Sequence, residues 1–142
     1  MIYDKLNTFG TAQAVTASAA STDIIDLGAV RDIGNGEPLE LVILVGTTVT
    51  ADGSATVTFA LQTDDNDGFS SAATLASTAA IGKALLTAGT EVLRVKVPLD
   101  VERYLRVYYT VATGPLTAGT FTAFLAHDRQ ANKAYASGFT VS

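Results

Sequence analysis

Apolar and polar residues alternate along several stretches of this chain. Two clear examples are "VLRVKVP" at residues 92–98 and "YLRVYYTV" at residues 104–111. A period of two places successive side chains on opposite faces of a β-strand, and the β-branched and aromatic residues that fill these stretches favour strands. The alternation therefore predicts strands with one face on a core and the other toward solvent or a partner.

Turn sequences separate the predicted strands. They contain Gly, Pro, Asn or Asp, as in "RDIGNGEP" at 31–38 and "ATGPLTAGT" at 112–120. The continuous apolar run "LELVILVGTTV" at 39–49 indicates a strand buried on both faces. Residues 71–86 predict a short strand followed by at most one helical turn. The spacing gives about eight strands, which predicts an all-β, antiparallel β-sandwich of the jelly-roll type.

The first 22 residues differ from the rest in composition. "GTAQAVTASAASTD" is rich in Ala, Ser and Thr and shows no sustained alternation. This pattern predicts an extended N-terminal arm at 1–22, followed by a single jelly-roll domain at 23–142. The arm docks on a neighbouring chain under one interpretation, and under the other the segment is a frayed terminus or a plain first strand.

Composition excludes several classes of protein. The chain has no cysteine, so disulfides and thiolate chemistry are absent. Its formal net charge of −5 disfavours nucleic-acid binding, which needs clustered Lys and Arg. No run of about 18 apolar residues predicts a membrane span, and the first ten residues have no apolar core of signal-peptide length. We expect neither nucleic acid nor membrane among the partners.

An acidic stretch, "ALQTDDNDGFSSAATL" at 60–75, has the look of a calcium loop. Aligning Gly68 with the sixth position of an EF-hand loop puts Thr74 at the twelfth, where a bidentate glutamate is required. The flanking residues also favour strands over helices. The stretch therefore predicts a polar turn at a strand end and no metal site, with weak cation binding by Asp64–Asp67 left open.

Catalytic motifs are missing from the sequence. His127 is the only histidine, no Gly-x-Ser-x-Gly motif is present, and "GNGEPL" at 34–39 lacks the third glycine of a dinucleotide fingerprint. We expect no catalytic residue, no cofactor and no enzymatic activity, because no nucleophile lies in the sequence context of a base.

Exposed arginine and tyrosine are the candidates for a protein contact. Arg94 and Arg106 share one face if strands 92–97 and 104–111 pair with each other. Alternation places Tyr108 beside Arg106 and turns both away from the core-facing residues Leu105, Val107 and Tyr109. Tyr and Arg are enriched in interfaces. We predict that Arg94, Arg106 and Tyr108 lie in a protein contact, with a solvated strand face as the alternative.

Four segments of the chain, taken together and in order, carry a resemblance to a known family: "MIYDKLNTFGTAQAVT", "DIIDLGAVRDIGNGEPLEL", "ALQTDDNDGFSSAATLAS" and "RYLRVYYTVATGPLTAGTFTAFL". Through them the chain resembles the jelly-roll capsid cement, or decoration, proteins of tailed bacteriophages. The resemblance extends to about residue 128 and does not cover the tail "RQANKAYASGFTVS".

This resemblance implies a structural protein on the outer surface of the virion. Such a protein binds the outside of the capsid shell, bridges neighbouring capsomers and stabilises the particle. Its implied partners are the major capsid protein and other copies of itself, as a homodimer or homotrimer, and the family offers no catalytic residues to carry over. The alternative is a non-catalytic β-sandwich module that binds carbohydrate or a receptor, and the lack of tryptophan argues against it.

Overall fold

The computed structural model describes residues 2–127. Within them, ten strands and one 3-10 turn follow one another along the chain. They are β1 (Ile2–Ala14), β2 (Ala19–Ala20), β3 (Ile25–Asp26), β4 (Leu39–Thr50), β5 (Thr56–Asp64), β6 (Ala73–Ser77), β7 (Ile81–Gly82), the 3-10 turn η1 (Lys83–Leu85), β8 (Glu91–Lys96), β9 (Tyr104–Ala112) and β10 (Ala118–His127). The short strand and single helical turn predicted for 71–86 are confirmed by β6 and η1.

Two antiparallel sheets form a sandwich, as predicted. Sheet I has the strand order β1-β10-β4-β8, and sheet II has the order β2-β9-β5-β6, with β3 added beside β9 and β7 beside β5. Eight strands split four and four between two packed sheets, with connections that cross from one sheet to the other, are the arrangement of a jelly roll. The two-residue strands β3 and β7 are additions to this path.

The core between the sheets is built around three aromatic rings. Phe59 from β5 meets Tyr109 and Phe121 edge to face, with ring centroids 5.8 and 5.0 Å apart, while Tyr109 and Phe121 stack at 5.5 Å. Edge-to-face and offset-stacked geometries are the favoured arrangements of aromatic pairs. All three side chains are fully buried. The rings from β5 and β9 in sheet II and from β10 in sheet I therefore join the two sheets.

Strand β4 explains the continuous apolar run of the sequence. Its inward residues include Leu41 and Ile43, which belong to the main core. Val42 points to the outer face of sheet I, yet it is only 1% exposed and packs with Phe124 and Ala126 of β10 in a second apolar cluster. The strand is buried on both faces over residues 41–45, which confirms the prediction for this part of the run, whereas residues 46–48 are exposed.

The prediction of an N-terminal arm at 1–22 needs a correction, because the described residues of this segment lie within the sandwich and not outside it. β1 pairs with β10 from Ile2 to Ala14, and β2 pairs with β9. Phe9 and Val15 are buried in the main core. The segment is extended, as predicted, but over residues 2–22 it belongs to both sheets. Register shifts interrupt β1 three times, and these irregularities remove the alternation that marks a strand in the sequence.

No helix among residues 2–127 is long and apolar enough to cross a membrane.

Candidate interaction surfaces

The outward-facing arginines lie on opposite sides of the molecule. β8, which carries Arg94, pairs with β4 in sheet I, whereas β9, which carries Arg106 and Tyr108, pairs with β5 in sheet II. The connection 97–103 crosses from one sheet to the other instead of forming a hairpin. The pairing of 92–97 with 104–111, which was the condition for a shared face, does not occur, and Arg94 does not share a face with Arg106. Alternation marks the inward residues of both strands equally and does not assign either strand to a sheet.

The register predicted for β9 is confirmed. Leu105, Val107 and Tyr109 have no exposed surface and line the core. Arg106 and Tyr108 alternate with them on the outer face of sheet II, where each is partly exposed. Because the side-chain period of a strand is two, the core-facing set fixes the direction of the other two side chains.

On sheet I, Arg94 is paired within the chain. Its Nε donates a hydrogen bond to the Oε2 atom of Glu40, on the neighbouring strand β4, at 2.9 Å. The hydrogen bond to Glu40 and the charge of that carboxylate raise the pKa of Arg94. Beside this pair lies the apolar cluster of Val42, Phe124 and Ala126. The charge of Arg94 is therefore balanced inside the molecule.

On sheet II, Arg106 lies between two aromatic rings. Its Cζ atom is 4.2 Å from the ring centroid of Phe69 and 5.2 Å from that of Tyr108. Its Nε donates a hydrogen bond to Oε1 of Gln62, the residue opposite it on β5, at 2.8 Å. We call these four residues the Arg106 cluster. Within the part of the chain that the structure describes, Arg106 has no ion pair, so its partner is a neutral amide.

Phe69 reaches the Arg106 cluster from the turn between β5 and β6. Its φ is +50°, an uncommon value for a residue with a bulky side chain, and its side chain is 8% exposed. A hydrogen bond from its N–H to the carbonyl of Asn66, at 3.2 Å, holds the tight turn. The ring packs on the outer face of sheet II. Sequence reasoning missed this residue, because a Phe in a polar turn carries no periodic signal.

The buried side chain of Asp64 stabilises the same turn through hydrogen bonds. The side chain has no exposed surface, and its carboxylate accepts hydrogen bonds from the N–H groups of Asn66 at 3.1 Å and Ser71 at 2.8 Å, and from the Ser71 hydroxyl. Burial raises the pKa of Asp64, but these hydrogen bonds outweigh burial and hold the pKa below its usual value. The polar turn predicted for this stretch is confirmed, and Asp64 is its anchor.

The acidic side chains of the described residues do not converge into a metal-binding group. No cluster of three or more His, Cys, Asp or Glu side chains placed to bind an ion occurs in residues 2–127. Both carboxylate oxygens of Asp64 already accept hydrogen bonds from the protein. Only exposed Asp65 and Asp67 remain in the turn for the weak cation binding left open above.

A second arginine near β9, Arg103, is neutralised by a fork of two hydrogen bonds. Its Nε and Nη2 atoms donate to the two carboxylate oxygens of Asp26 at 2.9 and 3.0 Å. The hydrogen bonds from Arg103 lower the pKa of Asp26 to about 2, with help from the Gly28 N–H. The guanidinium also lies 4.9 Å from the ring centroid of Tyr104. Arg103 thus has a carboxylate partner, whereas Arg106 has none among residues 2–127.

His127 ends strand β10, in the strand-end position expected from the sequence. Its Nε2 atom lies 3.4 Å from the Oε2 atom of Glu37. No hydroxyl or amine nucleophile is hydrogen-bonded to this imidazole within residues 2–127, and the contact with Glu37 lies at the end of a strand that runs between β1 and β4 in sheet I.

The sequence profile of the Bbp16 family matches residues 9–125 of the chain. This range begins within β1 and ends within β10, so it includes all or part of every strand of both sheets. No protein with curated annotation matches the chain.

Proposed function

This chain belongs to the Bbp16 family, and we propose that it is a structural cement protein of a tailed bacteriophage. In this role it binds the outside of the capsid shell, bridges neighbouring capsomers and stabilises the particle. Its partners are the major capsid protein and other copies of itself, as a homodimer or homotrimer, and its place is the outer surface of the virion.

The observation that carries this proposal is the strand order. The sequence resembles phage cement proteins of the jelly-roll type, and the two sheets have the four-plus-four arrangement that the resemblance implies. The resembling segments supply strands to both sheets, from β1 through β10. The likeness therefore draws on both sheets and is not limited to one hairpin.

The Arg106 cluster supports a contact function on the outer face of sheet II. Arg and Tyr provide large contact area, cation–π geometry and several hydrogen-bond donors. Arg94, on the opposite face and paired with Glu40, is left out of this contact. A cement protein needs only modest affinity at each contact, because many copies on a lattice raise the effective concentration of one another's binding sites.

Co-sedimentation with undecorated shells of the cognate major capsid protein tests the proposal. We expect the protein to pellet with the shells and to saturate at a fixed ratio of copies to capsid subunits. Fully decorated particles serve as the control and should take up no more protein. Protein that stays in the supernatant at every ratio contradicts the proposal, and saturable binding to a glycan instead would favour the carbohydrate-binding alternative.

A further inference from the structure

We propose that Arg106 binds a carboxylate group of the partner protein, with Phe69 and Tyr108 holding the guanidinium in place. The identity of the partner as a capsid subunit or a second copy rests on the proposed function. The carboxylate chemistry rests on the Arg106 cluster itself.

The first argument is the balance of charge around the arginines of the two sheets. Arg94 is paired with Glu40, and Arg103 is paired with Asp26. Arg106 instead donates to the neutral side-chain oxygen of Gln62. Within residues 2–127 it therefore keeps an unbalanced positive charge on a protein whose net charge is −5.

The second argument is the set of donors that remain. A guanidinium has five N–H groups, and the hydrogen bond to Gln62 uses the one on Nε. The described residues take no hydrogen bond from the Nη atoms, which leaves four N–H groups. Two parallel N–H groups match the two oxygens of a carboxylate, and this bidentate geometry is the strongest form of an arginine–carboxylate pair.

The third argument is that the guanidinium is already ordered. The ring of Phe69 and the ring of Tyr108 both contact it, and Gln62 fixes its Nε. An arginine held this way loses little further side-chain freedom on binding, because that freedom was lost on folding. Phe69 reaches its position through a backbone conformation with positive φ, and strained residues of this kind concentrate at binding sites.

The surroundings favour a single carboxylate over a polyanion such as nucleic acid. The turn that carries Phe69 also carries Asp65 and Asp67, both exposed. Their charges repel any anion, but the repulsion grows with the number of negative charges, so it opposes a chain of phosphates more than a single carboxylate. A protein side chain, Asp or Glu, is the ligand that fits this balance.

The first test measures binding to undecorated shells with charge-conserving variants. Arg106→Lys keeps the positive charge but loses the planar fork, so we expect a loss of affinity of about 10-fold or more. Arg94→Lys, the matched control on the other sheet, should bind as wild type does. Equal binding by Arg106→Lys and wild type overturns the proposal. Wild-type protein that does not bind shells contradicts the proposed function, and the second test then decides the carboxylate chemistry alone.

The second test needs no capsid. In an NMR titration of the ¹⁵N-labelled protein with N-acetyl-glutamate amide, the Arg106 side-chain signals should shift and approach saturation, while those of Arg94 stay in place. Phe69→Ala should weaken the Arg106 response, provided that its core signals match wild type. Arg106 signals that do not move overturn the proposal, and a stronger response to inorganic phosphate than to the carboxylate probe overturns the choice of ligand.

Discussion

The two outer faces of the sandwich treat the same residue type in opposite ways. On sheet I, Arg94 bonds to Glu40 beside a buried apolar cluster. On sheet II, Arg106 contacts the rings of Phe69 and Tyr108, and among residues 2–127 its hydrogen-bond partner is the neutral amide of Gln62. The first face pairs its arginine with a carboxylate and buries the apolar cluster of Val42, Phe124 and Ala126. The second keeps a charged, ordered group directed outward, which is what a contact with another protein requires.

The two sheets therefore have different roles. Sheet I contains β4, the first half of which is buried on both faces. We therefore expect sheet I to contribute mainly to the stability of the sandwich. Sheet II contributes its inner face to the core and its outer face to the proposed contact. Mutations in sheet I should thus lower the stability of the protein, whereas mutations on the outer face of sheet II should weaken its binding to the partner.

The largest expected effect follows removal of residues 1–12, which deletes most of the edge strand of sheet I. The loss includes Phe9, which is fully buried, and replacing such a residue with Ala alone costs about 3–5 kcal/mol. Because a whole domain is stable by only about 5–15 kcal/mol, we expect the truncated protein not to fold, as measured by circular dichroism and thermal melting.

Two point variants refine this test. Phe9→Ala should lower the melting temperature strongly, whereas Leu6→Ala should leave it near wild type, since Leu6 is 81% exposed. A truncated protein that still melts cooperatively near the wild-type temperature would restore the arm interpretation and remove β1 from the core.

The next effect in size separates binding from stability on sheet II. Arg106→Ala combined with Tyr108→Ala should weaken binding to shells by on the order of 2 kcal/mol, or about 30-fold, as expected for a central interface anchor. The melting temperature should change little, because the core-facing residues of β9 are untouched. Arg94→Ala serves as the control and should leave binding intact. A large fall in melting temperature for the double variant would contradict the outward placement of these side chains.

Acid should loosen the turn that supports Phe69. The folded-state pKa of Asp64 lies below its ordinary value of 3.8, and that of Asp26 is about 2. A depressed pKa contributes stability that is present above the unfolded pKa and is lost as the pH falls through the folded pKa. We therefore expect the melting temperature to fall between about pH 4 and pH 2. Asp64→Asn should melt lower than wild type at neutral pH and lose less on acidification, and an equal acid loss in both proteins would exclude Asp64 as a cause.

The smallest expected effect is that of calcium on the same turn. Both oxygens of Asp64 accept hydrogen bonds from the protein, and Thr74 stands where a calcium loop needs a glutamate. Thermal melts with calcium and with chelator should coincide. A rise of several degrees with calcium would mean that the exposed acidic side chains of the turn form a site.

Much of this architecture could be predicted from the sequence, because the burial of a strand produces a recognisable pattern of apolar residues. The alternation in β9 identified Leu105, Val107 and Tyr109 as core residues, and the continuous apolar run identified β4 as buried on both faces. No comparable pattern in the sequence shows which strands pair with each other. A hairpin and a crossover between sheets both connect two alternating segments through a short polar loop, so the sequence could not decide whether Arg94 and Arg106 share a face.

The rest of the candidate site depends on local backbone geometry. Phe69 contacts Arg106 because a turn with positive φ directs its ring across the sheet. Neither the turn type nor the ring direction follows from residue spacing. Strand β1 was hidden for a similar reason, since its bulges break the period of two that reveals a strand.

Cryo-electron microscopy of shells decorated with the wild-type protein tests the central claim most directly. The account predicts that the outer face of sheet II lies against a neighbouring protein, with Arg106 within hydrogen-bonding distance of an Asp or Glu carboxylate. Density in which that face points to solvent, while sheet I or another surface makes the contact, would contradict it.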